Sequence, residues 1–531
     1  MEPQPRDQLL PALHAEMDAA GWISPAALSE IGERLGVAPA DVYGVASFYE
    51  MFSLSEPPAG GRVPVCVDLS CQLTGGGVVN VPAGGHGVSC LGLCDTAGLL
   101  PPAGAAPAIG GLGPLVLLQR VGGVGGVGAV DPADVDAYRA AGGYEGLRRA
   151  VEIGPAGTLT ELAASRLVGR GGAAFPVARK WQAVAANPAR PHYLVCNADE
   201  SEPGTFKDRV LLEGDPFSII EAMTIAAFAT GCERGYLYVR GEYRRAAAVV
   251  AAALDGARRR GLLGADVLGH GFSFDIEIRR GAGAYICGEE TALFNSLEGY
   301  RGEPRSKPPF PVDSGLFGKP TVVNNVETLA NVPVILAGGS AAFASVGTAE
   351  STGTKLFAVS GCVSRPGVYE VPFGTTLREV IELAGAAGAA GAAGAAGVRA
   401  VLLGGAAGVF ALPSELDVPL TFEGTRAAAL TLGSGAVIVL DERADLAAFL
   451  RRIAAFFRSE SCGQCVPCRI GTVRQEELLE RLLASERSAA DVTGVLRDVA
   501  GVMRDASICG LGQTAGTAIQ SAIEKLGVGP Q

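Results

Sequence analysis

Apolar positions recur at helical intervals over residues 8–55, at Leu9, Leu10, Leu13 and Met17 and again at Ile31, Leu35 and Val37, which predicts a helical opening. From Arg62 the pattern changes to short extended runs such as residues 63–67 between Gly-rich turns. It ends in a linker of Gly and Val at 122–128. Residues 130–345 alternate strand-like runs (193–196, 235–239) with helix-like runs (217–230, 244–260), the order expected of an α/β domain. A new strand-like run at 355–361 opens the segment 352–440. An Ala-Ala-Gly repeat from Ala384 to Gly397 interrupts it, read as a tolerated surface insertion or a helix end weakened by Gly. Residues 441–531 read as helical, with Leu446, Phe449, Leu450, Ile453 and Phe456 on one face.

Length and composition narrow the picture. A chain of 531 residues implies two to four domains. With 48% hydrophobic and 18% charged residues, most of it should fold into buried cores. A net charge of −12 argues against a nucleic-acid surface, because nothing offsets phosphate repulsion. The longest apolar tracts, 102–119 and 384–413, are broken by Gly, Pro or Arg, so no membrane span is expected. The first residues lack a basic stretch followed by an apolar core, so no signal peptide is visible and the chain reads as cytoplasmic. In a reducing compartment the twelve cysteines point to metal rather than disulfides, and eight of them fall into close groups.

One group is Cys462, Cys465 and Cys468, with Cys509 further on. Three thiolates at i, i+3, i+6 wrap a loop around one metal core, and a fourth from a distant loop completes a [4Fe–4S] cube. Zinc more often takes two separated pairs. The second group pairs Cys66 with Cys71 and Cys90 with Cys94; by spacing alone it suits a [2Fe–2S] rhomb or zinc equally, with free structural thiols a third option. Residues 169–176 formally satisfy G-x-G-x-x-A, but helical spacing precedes them where a Rossmann fingerprint needs a strand. Such a loop, with Arg170 and Lys180, still brings N–H groups and positive charge to a phosphate. A plain Gly-rich turn is the bland alternative. Acidic segments at 196–202 and 281–291 are flanked by Gly, Asn and Ser; either they are solvated or they present acceptors to a ligand. The stretches 307–310 and 324–328 have the same look. The four histidines lack ligand spacing, and Cys196, Cys232, Cys287 and Cys362 read as small packed residues.

Together these motifs are recognisable. Residues 155–531 resemble the NADH-binding flavoprotein subunit of respiratory complex I, and equally the diaphorase subunits of NAD-reducing hydrogenases and NAD-dependent formate dehydrogenases. The segments 169–181, 197–209, 281–299, 307–331, 460–472 and 507–514 carry the likeness. The N-terminal part, with residues 45–52 and the two Cys pairs, resembles the thioredoxin-like [2Fe–2S] subunit that partners that flavoprotein. The fusion is more typical of the hydrogenase and formate dehydrogenase relatives.

The resemblance implies an α/β multidomain chain. It would comprise an N-terminal helical region (1–60), a thioredoxin-like [2Fe–2S] domain (61–128), a Rossmann-like FMN/NADH domain (129–350), a ubiquitin-like β-grasp domain (351–440) and a helical [4Fe–4S] bundle (441–531). It implies FMN held by Gly169, Arg170, Gly171, Gly172 and Lys180, by Asn197, Asp199 and Ser201, and by Tyr285, Gly288, Glu289, Asn324, Asn325 and Thr328. NADH would stack near Phe175 and Phe310 and meet Glu200, Glu202, Glu290 and Lys307. Glu202 accepting ribose hydroxyls would favour NAD over NADP. The implied activity is NADH oxidation with no protein nucleophile: hydride to FMN, single electrons to [4Fe–4S], then to further iron–sulfur subunits of a hydrogenase, formate dehydrogenase or complex I-like assembly, reversibly. Departures from the pattern are Ala174 in place of a usual Gly, Gln-Ala after Trp181 where a second aromatic is usual, and a shorter stretch between Cys71 and Cys90. Two other classes remain: a zinc-stabilised binding module, and a scaffold that has lost flavin.

Overall fold

The computed structural model describes residues 5–57, 63–74, 81, 85–96, 107–122, 128–386, 397–484 and 489–528. The helical opening forms as expected, as α1 (Leu9–Ala20), α2 (Pro25–Leu35) and α3 (Pro39–Ala46). Ser24 caps α2 by accepting from the Ala27 N–H, and Pro25 at its first turn needs no N–H partner. Next come β1 (Val63–Cys66), α4 (Leu69–Thr74) and β2 (Gly85–Val88), with β1 and β2 paired in parallel.

The strand that follows, β3 (Ala108–Gly111), does not join them. It pairs in parallel with β9 (Gly367–Pro372), from Ala108↔Gly367 to Gly111↔Glu370. The Glu370 carboxylate then accepts from the N–H groups of Val116, Leu117 and Leu118. In the structure this stretch of the expected 61–128 segment therefore packs as the edge of a later sheet. Most of the Gly/Val linker and of the Ala-Ala-Gly repeat lies outside the described residues.

The central block contains α5 (Val135–Ala140), α6 (Glu145–Ser165), α7 (Val177–Ala186), β4 (His192–Ala198), α8 (Lys207–Gly214), α9 (Pro216–Thr230), β5 (Cys232–Val239), α10 (Arg244–Arg259) and β6 (Asp275–Arg280). It continues through α11 (Glu290–Leu297), α12 (Pro311–Ser314), β7 (Thr321–Asn325), α13 (Val326–Gly338) and α14 (Ser340–Ala344). Its four strands form one fully parallel sheet in the order β6-β5-β4-β7. Along β4, Leu194, Cys196 and Ala198 enter one apolar core while Tyr193 and Val195 enter another. Both faces are covered, which is why the strands read as continuous apolar runs. The second core is shared with α1–α3 and with the last helices of the chain.

A six-stranded mixed sheet follows, in the order β11-β10-β12-β8-β9-β3, with β8 at Thr354–Gly361, β10 at Val398–Leu403, β11 at Val409–Ala411 and β12 at Ala436–Asp441. Two helices accompany it, α15 (Leu377–Leu383) and α16 (Phe422–Ala427), the first with a Thr376/Glu379 capping box. The chain ends in α17 (Leu446–Ser459), α18 (Val466–Leu483), α19 (Ala489–Ala506), α20 (Gly510–Thr514) and α21 (Thr517–Leu526). The face predicted from Leu446 to Phe456 is buried.

Candidate functional site

The carboxyl ends of β4 and β7, where ligands bind in open parallel sheets, meet the Gly-rich loop between α6 and α7. The loop closes on itself through the Gly169 N–H to the Phe175 carbonyl (2.9 Å). It is pinned to α13 by the Arg170 N–H donating to Thr328 Oγ1 (2.8 Å). A Cβ on Gly171 would stand 3.0 Å from the Asn325 Cβ, and Gly172 has φ +119°. The positive φ at Gly172 favours glycine, and a side chain at Gly171 would crowd Asn325, so the loop is a cradle that presents bare backbone at these two positions. The Arg170 guanidinium, however, does not face the cradle opening. It is fully buried, donates to the Thr352 carbonyl (2.6 Å) and lies over the Phe373 ring. Its Nε and Nη1 have no partner, and burial lowers its pKa to about 10.

On the strand ends, Asn325 caps α13 through the Thr328 N–H and donates to Asp208 (2.6 Å). Asn324 accepts from the Trp181 indole (2.8 Å), and Asn197 donates to the Gly288 carbonyl (2.9 Å). The Asp199 N–H is held by Asn197, and one carboxylate oxygen accepts from Ser201 (2.9 Å). The other, Oδ2, has no partner, and burial raises the Asp199 pKa to about 7 against the opposing pull of Arg240. An unsatisfied acceptor deep in a Gly-lined cradle is what a ligand N–H or O–H would complete.

Two acids expected to meet the nicotinamide nucleotide are engaged inside the protein. Glu200 accepts from the Asp208 and Arg209 N–H groups at the start of α8 and from the Tyr243 hydroxyl. Glu202 accepts from the Tyr285 hydroxyl (2.5 Å) and the Ala407 N–H (3.0 Å), so it ties the cradle to the six-stranded sheet. At the rim, Lys307 pairs with Glu289 (2.9 Å) and Glu290 (2.7 Å), and Lys180 stands 3.6 Å from Glu290. Phe175 and Phe310 are about half exposed there (47% and 52%), two open aromatic faces beside charged side chains.

The C-terminal thiols gather where helices begin. Cys465 immediately precedes α18, Cys468 sits in its first turn, and Cys509 immediately precedes α20. Backbone N–H groups of Leu511 and Gly512 point at Cys509, and that of Gln464 at Cys462. Burial pushes Cys468 up to about 12 and Cys509 to about 11, so as free thiols they stay protonated. Three thiols within electrostatic reach of Cys468, with N–H groups aimed at the Cys462 and Cys509 sulfurs, make up the donor set that an iron–sulfur cluster takes. The Tyr285 N–H donates to Glu460 (2.9 Å), two residues before Cys462, so one residue links cradle and cysteine loop.

The N-terminal thiols are also together. Cys66 is within hydrogen-bonding reach of Cys71 and Cys90, and Cys90 lies 3.6 Å from Cys94. All four are buried. They are fixed by residues that sequence reading missed. Arg240 bridges the carbonyls of Cys90 (2.5 Å) and Glu200 (2.7 Å), Arg209 binds the Gly92 carbonyl and Asp95, and Arg452 of α17 reaches Asp68. Asp68 in turn accepts from the Cys90 N–H (3.0 Å). The available signal was a charged residue closing an apolar strand, Arg240 directly after β5. The lone Cys196, Cys232 and Cys287 are buried, while Cys362 is partly exposed.

Comparison with known proteins aligns with this geometry. Residues 162–334 match the family model described as the Nuo51 FMN-binding domain, and residues 448–527 the NADH-ubiquinone oxidoreductase-F iron-sulfur binding region. Residues 1–81 match the thioredoxin-like [2Fe-2S] ferredoxin and residues 356–409 an SLBB domain. The chain is 46% identical to the F subunit of the NADH-quinone oxidoreductase of Aquifex aeolicus, over 74% of this chain and 89% of that one. It is 44% identical to the HndC subunit of the NADP-reducing hydrogenase of Solidesulfovibrio fructosivorans, over 74% of this chain and 79% of the other. A crystal structure of an NAD+-reducing [NiFe]-hydrogenase in the H2-reduced state superposes with a TM-score of 0.80 at 32% identity, covering 99% of this chain and 93% of that one.

Proposed function

The chain belongs to the family of NADH-quinone oxidoreductase F subunits, and on that premise we propose that it is the NADH-oxidising diaphorase of a larger redox assembly, working in either direction. Its N-terminal domain is thioredoxin-like and its centre an FMN-binding domain. We read 351–440 as a β-grasp domain and 441–531 as a helical cluster-bearing bundle, with domain limits as the sequence pattern gives them. Among the described residues no helix is long and apolar enough to cross a membrane.

FMN supplies hydride acceptance and the clusters supply one-electron steps. The chain supplies position. In this reading Gly169, Gly171 and Gly172 let the backbone approach FMN, and Asn197, Asn324, Asn325 and Thr328 set the floor. Asp199 Oδ2 holds or accepts a proton there. Phe175 and Phe310 stack against the nucleotide, while Lys307 and Lys180 keep Glu289 and Glu290 at the mouth. Tyr285 spans the gap to the [4Fe–4S] loop at Cys462, Cys465, Cys468 and Cys509. Cys66, Cys71, Cys90 and Cys94 would hold the [2Fe–2S] cluster. Glu200 acts here as a cap of α8 rather than as a nucleotide contact.

The single observation that carries the proposal is the convergence on one cradle of Gly loop, strand ends and cysteine loop. Anaerobic purification with flavin and iron quantification, followed by EPR after NADH addition, tests it. The expected result is bound FMN and two cluster signals; a flavin-free chain, or one that NADH leaves oxidised, overturns it. NADH is the expected substrate, and kcat/KM for NADPH matching that for NADH would refute that part.

A further inference from the structure

Behind the cradle lies a charge network that joins two domains. Lys355, on β8, is wholly buried and donates to Glu327 Oε2 (2.6 Å) and to the Leu356 and Ser434 carbonyls (3.0 Å each). Glu327, equally buried, also accepts from the Leu356 N–H (2.9 Å) and pairs with Lys207 (3.0 Å). Lys207 continues to Asp208 (2.7 Å), and Asp208 holds the Asn325 amide (2.6 Å). A second route runs through the turn at Gly433 to Gly435. A Cβ on Gly435 would meet Lys355 Nζ at 2.9 Å, and one on Gly172 would meet Gly433 at 3.6 Å. The Arg170 guanidinium adds a third buried cation in electrostatic reach of Glu327 and Lys355.

A buried ion network is weak evidence for stability, because desolvation offsets much of its attraction. It therefore needs another reason to exist. We propose that Lys355, outside the stretch that matches the FMN-binding domain, is a positioning residue of the flavin site that fixes Asn325 and Gly172 and sets the charge of the wall behind them. This rests on the FMN reading above. Hydride transfer brings two electrons and one proton into the site, and so one net negative charge. A fixed cation in a dry wall favours that state over the oxidised one. Burial lowers the Lys355 pKa to about 8, with Glu327 opposing, so the charge is present at neutral pH but costly, as expected of a group kept for its field.

The test uses full-length, flavin-loaded protein, with flavin content measured first and the flavin midpoint potential second. Lys355→Met should favour oxidised flavin at least tenfold, a negative shift of about 30 mV for a two-electron couple. Asp208→Asn, which removes a negative charge from the same network, should shift the potential the opposite way, and Lys355→Arg should keep the wild-type value. Flavin-bound variants with unchanged potentials, or Met and Asn variants that shift in the same direction, overturn the proposal and leave Lys355 a packing residue. If Lys355→Met does not fold, the near-isosteric Asp208→Asn decides: a positive shift supports the proposal and an unchanged potential overturns it. A wild-type chain that holds no FMN would instead sink the FMN reading, and this inference with it.

Discussion

Cys465 and Cys509 each stand directly before a helix, and backbone N–H groups of neighbouring residues are aimed at the Cys462 and Cys509 sulfurs. Cys66 instead closes β1, Cys71 lies in α4, and Cys90 and Cys94 lie in the loop after β2, a region clamped by Arg209 of α8, Arg240 just after β5 and Arg452 of α17. Both sets offer four thiols. The first is organised mainly by its own loops, the second by side chains 114 to 384 positions away. A locally organised site should fail alone when it is cut, whereas a remotely organised one should fail when its supports are cut.

The largest effect tests the local set. Cys468→Ala removes a thiol packed beneath Gly512 and leaves the N-terminal loops untouched. EPR of the NADH-reduced protein should lose one cluster signal almost completely while FMN and the other signal remain. Retention of both signals would show that these four cysteines do not share one cluster.

Next comes the remote set. Arg240→Met leaves the Cys90 and Glu200 carbonyls and Glu242 without their buried cation. Breaking such a buried pair costs on the order of 3 kcal/mol. Denaturant unfolding should register that loss, and the N-terminal cluster signal should broaden or vanish with the C-terminal one intact. If the C-terminal signal fails instead, the contrast between the two sets is wrong.

A smaller effect approaches the same arginine from the cradle. Asp199 lies in the field of Arg240, yet burial dominates and raises its pKa from 3.8 to about 7. The folded state then binds the proton more tightly than the unfolded one. Its contribution is complete below about pH 4 and is lost as pH rises through 7. Asp199→Asn should flatten the pH dependence of thermal stability between pH 4 and 7. An unchanged profile would mean that another group titrates there.

The same division between local and remote determinants explains what was legible in the chain. Cysteine spacing, the Gly loop and the helical face from Leu446 to Phe456 are local patterns, and each appears in the structure where the sequence puts it. Glu202 looked like a free acceptor because its donors are distant: Tyr285 is 83 positions away and Ala407 is 205. Glu200 is engaged closer by, through the Asp208 and Arg209 N–H groups that the start of α8 turns toward it. Arg170 looked like a phosphate ligand because nothing nearby announces the Thr352 carbonyl and the Phe373 ring that hold it. The pairing of β3 with β9 was equally invisible, since strand pairing is a property of two segments and only one was being read.

The smallest effect belongs to Ala174, where the loop has a side chain in place of the family's usual Gly. Its φ is +51°, in the left-handed region that costs a residue with a Cβ about 1 kcal/mol. Ala174→Gly removes that strain but frees the unfolded chain, which takes back roughly 0.4–1 kcal/mol. The two nearly cancel, so the denaturation midpoint should move little, and upward if at all. Gly171→Ala should behave differently, because its new Cβ would press on the Asn325 side chain at 3.0 Å. FMN affinity should fall in that variant and hold in the Ala174 one. Equal losses of affinity in both would mean that the loop senses its backbone conformation as a whole, rather than the single close approach at Gly171.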